Sequence, residues 1–269
     1  MSAIASVPVR AASSISWVGV SKPSEQVEWL CRSKFSKCFS FGTQEKLYQN
    51  WGFTSRPMNV QTIRFGDEGE AATRALARRY ADAGEPLAGY LRTFEAIDRR
   101  HGGHGALPLE DAPDVADAAL VEAHRRDDDD LVIGVALWAM RHEVAFRAIE
   151  PVVNALARRS NDARDPAQLA AVFGLMQGLI AHVAPALAAD LERSNPERPW
   201  RVLHVNFAIT AIRSEDGALM EHAFDALDRA LPDERAGFYA EAMALALAPR
   251  IAPAVRDAIE RRHRRWTQG

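Results

Sequence analysis

From Asp67 to Trp266 the chain repeats one pattern: apolar residues three and four apart, interrupted by proline or short polar runs. Nowhere in this stretch does the period-two alternation of a half-buried strand occur. Such a chain buries its apolar stripes by packing helix on helix. The spacing predicts helices over 67–82, 86–100, 113–126, 130–159, 166–193, 199–213, 217–231, 233–248 and 253–266. Pro86, Pro113, Pro166, Pro199, Pro232 and Pro253 each suit a first turn, where the missing N–H has no intrahelical acceptor to serve, and Asp165 is placed to cap. Pro151 and Pro185 fall inside the two longest runs, which predicts a kink or a break in each. Short connections favour antiparallel neighbours, and no self-similar period of a stacked repeat is present. The expected fold is all-α, a compact bundle or array of about eight to nine antiparallel helices.

Composition divides the chain at one point. All four lysines (Lys22, Lys34, Lys37, Lys46), both cysteines (Cys31, Cys38) and eleven of fourteen serines precede Met58, and 26 arginines with no lysine follow it. Residues 1–57 balance seven basic against three acidic residues, or +4; the remainder balances 26 against 33, or −7. We read residues 1–57 as an atypical, poorly structured extension and residues 58–269 as a single helical domain. A start codon placed ahead of a natural beginning at Met58 produces this partition, as does a genuine, loosely ordered extension. The segment lacks the apolar run of a secretory signal, and its first 24 residues, serine-rich and without an acid, have little of the positive charge of a transit peptide. Two cysteines in C-x6-C form neither a disulfide framework nor a zinc pattern, so a cytoplasmic setting is expected.

Pro166 to Ala189 contains no charged residue and reaches membrane-spanning length. Its alanine content, its Gln177, His182 and Pro185, and the acids on both flanks (Asp165, Asp190) argue instead for a central helix buried on all sides. Gly174 and Gly178 would let a neighbour approach closely.

What the body omits restricts its chemistry. Without lysine there is no phosphate loop of the Gly-x4-Gly-Lys type and no Schiff base for pyridoxal phosphate; without cysteine there is no thiolate nucleophile or thiolate zinc site. Ser160, Ser194 and Ser214 stand at helix boundaries, outside any nucleophile elbow. Catalysis here would have to run on histidine, carboxylate, arginine, tyrosine, or a bound metal or cofactor.

Histidine is the residue type with a pattern. His142, His182, His204 and His222 fall on four successive helical segments, mostly on apolar faces. Bundle cores hold metals and haem through such inward imidazoles, so these four are the candidate metal ligands. The bundle di-iron Glu-x-x-His signature is absent, and four core histidines hydrogen-bonded to backbone or polar neighbours explain the pattern equally. His101-Gly-Gly-His104-Gly is a second candidate cation loop, though glycine there also serves to end a helix. Asp127 to Asp130 lacks the spacing of a calcium loop and reads as a solvated helix start. Glu143 and Arg147, four apart, read as a surface pair.

The C-terminal cluster of Arg256, Arg261, Arg262, Arg264 and Arg265 with Trp266 is the strongest basic feature, but on a body of −7 it does not favour nucleic acid. The expected function is a non-catalytic protein-interaction or regulatory module, with a protein partner or a second copy and no membrane. The alternative is a metal-, haem- or organic-cofactor-binding helical enzyme or carrier that uses the inward histidines.

Overall fold

The computed structural model describes residues 66–247 and 251–267. The boundary expected at Met58 lies outside them. Among the described residues there are ten α-helices and no strand: α1 (Gly66–Arg79), α2 (Leu87–His101), α3 (Ala112–Arg125), α4 (Asp129–Arg141), α5 (Ile149–Asp162), α6 (Pro166–Leu187), α7 (Pro199–Ser214), α8 (Gly217–Ala230), α9 (Arg235–Ala246) and α10 (Pro253–Thr267). The all-α array expected from periodicity is therefore what the chain forms. A single 3-10 turn, Ala81–Ala83, joins α1 to α2. Asp165 caps α6 by accepting from the Gln168 N–H at 2.9 Å, and Asp128 and Asp216 cap α4 and α8 in the same way.

The run expected as one helix over 130–159 is two. It breaks at His142, not at Pro151, which sits in the first turn of α5, where a missing N–H costs nothing. Glu143 adopts a left-handed φ of 56°, its N–H donates to the Met140 carbonyl, and the Val144 N–H donates to the Ala139 carbonyl at 2.9 Å. That crossed pair of bonds is a Schellman stop with glutamate where glycine is usual. The run expected to 193 ends at Leu187.

One continuous core runs from Leu76 in α1 to Ile259 in α10. Its principal contacts join helices one or two places apart in the chain, with α1 also reaching α4. The most enclosed helix is α4, in which every residue from Leu131 to Ala139 is buried. The uncharged α6 is not the helix buried on all sides: 44% of its most apolar window is buried, while Ala167, Ala170, Ala181, Pro185 and Ala186 face solvent. Alanine exposes little apolar area, so an uncharged face need not be an enclosed one. Gly174 and Gly178 are buried, and Phe173 stacks on Phe207 of α7 at 4.1 Å.

Charged side chains tie the helices together. Asp128 accepts from the Tyr80 hydroxyl at 2.7 Å, Asp129 is gripped by Arg158 of α5, and Asp130 pairs with Arg79 of α1 and Arg159 of α5. The acidic run expected to be solvated is thus a three-way clamp at the start of α4. Arg147 pairs with Asp114 and Asp117 of α3, and residues 143–148 leave the helix on which Glu143 and Arg147 were expected four apart. In α10, Arg262 enters a ring of Glu221, Asp225 and Asp228 on α8, and the Trp266 indole N–H donates to Asp228.

Gly69 of α1 touches the loop after α2 so closely that an added methyl would press on the Gly103 carbonyl oxygen and lie 3.0 Å from Arg141 Nε. Gly69→Ala should lower the urea midpoint, overpacking of about 1–3 kcal/mol outweighing the roughly 1 kcal/mol that alanine brings to a helix. At Gly217 nothing lies within 4 Å of the added carbon, so Gly217→Ala should leave that midpoint unchanged or raise it.

Candidate functional site

Leu87, Leu91, Phe94 and Asp98 fall on one buried face of α2, so a carboxylate occupies the last position of an apolar stripe. A buried carboxylate needs donors, and α4 supplies two at i and i+4 spacing. Trp138 Nε1 donates to Asp98 Oδ1 at 2.8 Å, and His142 Nε2 lies 2.8 Å from the same oxygen. Trp138 also stacks on Phe94 at 3.9 Å, which fixes the indole plane. The other imidazole nitrogen, Nδ1, faces the Gly105 carbonyl oxygen at 3.1 Å. That oxygen only accepts, so Nδ1 is the donor, which leaves Nε2 facing Asp98 Oδ1.

Arg141 completes the cluster from the same helix end. Its Nε donates to the Gly103 carbonyl at 3.1 Å, and its Nη2 donates to Thr73 Oγ1 of α1 at 2.7 Å and lies 3.9 Å from Asp98 Oδ2. Burial lowers the guanidinium to about 10, against the opposing pull of Asp98. The Gly105 N–H donates to the Arg141 carbonyl, so the loop His101-Gly-Gly-His104-Gly105 is pinned to α4 at three backbone atoms. Gly102 and Gly105 hold φ of 88° and 95°, which is the use of glycine here. His101 and His104 are exposed, and the loop's carbonyls rather than its imidazoles face the cluster.

The opposite face of α2 meets solvent. Gly89, Arg92, Thr93, Ala96, Ile97, Arg100 and His101, with Leu109 from the following loop, line an open groove of about 560 Å³. Arg92 pairs with Glu85, whose carboxyl that bond holds below its ordinary range. Ile97 and Leu109 are half-buried and supply an apolar floor.

The four histidines singled out by periodicity have separate surroundings. His142 belongs to the cluster above; His182 points Nε2 at the Val144 carbonyl at 3.1 Å and stacks on Phe146; His222 lies 3.1 Å from the Gln177 amide. His204 is buried against Trp200 at 4.3 Å, and neither of its ring nitrogens nor Trp200 Nε1 has a hydrogen-bond partner among the described residues. No group of three His, Cys, Asp or Glu side chains with metal-binding geometry occurs among the described residues. His142 does not share a helical face with Phe146 and Ile149, since the chain turns between them.

A second polar cluster lies near His204. Arg198 holds Asp190 and Glu234, and Arg201 holds Glu234 and the Pro196 carbonyl, which fastens the connection after α6 to the start of α9. Asp98, Trp138 and Arg141 were not singled out as a site by sequence reasoning. Their signal was one charge in line with a buried stripe, which periodicity scores as a defect rather than a feature.

Comparison with protein families, with curated proteins and with solved structures finds no match to this chain.

Two outcomes test these environments. Asp98→Ala strands His142 and the Trp138 N–H inside the core and should cost about 3–5 kcal/mol in urea unfolding, as loss of one buried charged partner does. His204 is pulled down from 6.5 to about 4, chiefly by burial and then by Arg229. The unfolded imidazole takes up its proton near its ordinary value while the buried one resists, so the unfolded state binds more protons between these limits. Stability should therefore fall as pH drops from about 6.5 to about 4, by on the order of 3 kcal/mol from this group. His182, also lowered by burial, adds a fall of the same sign. His204→Phe should flatten most of that slope and, with two unbonded nitrogens removed, raise stability at pH 7.5 by about 1–3 kcal/mol. An unchanged slope between pH 4.5 and 7.5 would contradict the assignment.

Proposed function

We propose that this chain is a non-catalytic protein-interaction or regulatory module of the cytoplasm. The observation that carries the reading is where its reactive side chains go. Asp98, Trp138, Arg141 and His142 bind one another and backbone across three helices; Arg198, Arg201 and Glu234 join two loops; Arg262, Asp228 and Tyr239 dock the last helix. Groups engaged in this way hold surfaces in place and are not offered to a substrate. The groove on α2 is open to solvent, as a partner site is, rather than enclosed like most small-molecule sites. The basic helix α10 spends Arg261 and Arg262 on the acids of α8 and Arg264 on Glu260, which supports the reading against nucleic acid.

A second reading, a cofactor-binding protein, has one observation in its favour: His204 and Trp200 place three unbonded polar nitrogens together in the core. One preparation separates the two. Purified from its native cell, the full chain should be colourless, carry metal well below one equivalent, and associate with a protein or with itself in cross-linking and light-scattering measurements. A stoichiometric metal or chromophore lost from His204→Phe would replace the interaction reading with the cofactor one.

A further inference from the structure

We infer that the groove on the outer face of α2 is a docking site for a short acidic segment of a partner protein, an inference that rests on the interaction reading above.

The argument starts from charge that is not spent. Most arginines of the body are matched to carboxylates, as Arg79, Arg126, Arg147, Arg158, Arg198 and Arg262 are. Arg100, exposed and lining the groove beside His101, has no carboxylate, carbonyl or ring partner among the described residues. Arg92 adds a guanidinium shared with Glu85. The rim is thus cationic over a floor of Ala96, Ile97 and Leu109, a combination that suits carboxylates interspersed with apolar side chains.

Length and rigidity agree with that occupant. From Gly89 to His101 the helix advances roughly 18 Å at 1.5 Å per residue, the reach of about five or six extended residues. The end that carries Arg100 and His101 does not drift, because Arg141 and His142 hold the carbonyls of Gly103 and Gly105 directly behind it. A prepositioned rim loses less entropy on binding. A long polyanion is disfavoured, since the body balances 26 arginines against 33 acids, whereas a short segment meets only the local field.

The test is calorimetric titration of the full chain with the peptide acetyl-Glu-Leu-Glu-Glu-Leu-Glu-amide and with its lysine-for-glutamate counterpart. The acidic peptide should bind and the basic one should not, and binding should weaken as salt rises from about 50 to about 300 mM. Arg100→Glu should weaken it by about tenfold or more. Arg229→Glu, a reversal of another exposed arginine, on α8 and away from the groove, should leave it unchanged; circular dichroism verifies that both variants stay folded. Equal weakening by the two reversals, no preference for the acidic peptide, or tighter binding of a duplex oligonucleotide would each overturn the site. A chain that captures a protein partner but ignores the acidic peptide overturns this site alone and leaves the interaction reading standing.

Discussion

One buried carboxylate organises the N-terminal half of the array. Asp98 sits at the end of an otherwise apolar stripe, and removing its charge from water is tolerable only because Trp138 and His142 arrive from α4 with donors at the right pitch. That requirement propagates. His142, still at helical pitch at the end of α4, fixes Gly105 with its second nitrogen, and Arg141 beside it fixes Gly103 and Thr73. The course of the glycine loop and the seat of α1 are therefore tied to the same cluster.

Elsewhere the same logic is carried by guanidinium groups. Arg198 spans Asp190, Glu234 and two backbone carbonyls, and Arg262 spans three carboxylates on one helix. A planar fork with five donors meets several acceptors at once, which an ammonium does as a point charge without fixed direction. The absence of lysine after Met58 goes with a body in which cations act as joints between elements.

The helical class, most helix positions and the Asp165 cap were legible because they depend on local spacing and on proline and aspartate chemistry within one turn. The break at His142 was not, because its stop residue is Glu143, and glutamate in a left-handed conformation carries no signature of its own. The acids Asp127, Asp190 and Glu215 take the same conformation near other helix ends and were equally silent. The burial of α6 was misread because absence of charge was taken for enclosure, whereas alanine is compatible with either. Histidine periodicity identified four ring positions but not their partners, since Gly105, Val144 and Gln177 reach them through tertiary structure. Asp98 and Arg141 drew no notice for the same reason: a buried charge is intelligible only beside the residue that answers it.

Most principal contacts join helices close along the chain, α1 on α4 being the longer reach, and at the far end α10 packs on both α9 and α8. Loss of α10 would therefore take Arg262 away from Glu221, Asp225 and Asp228 and uncover the side of α9 that it packs on.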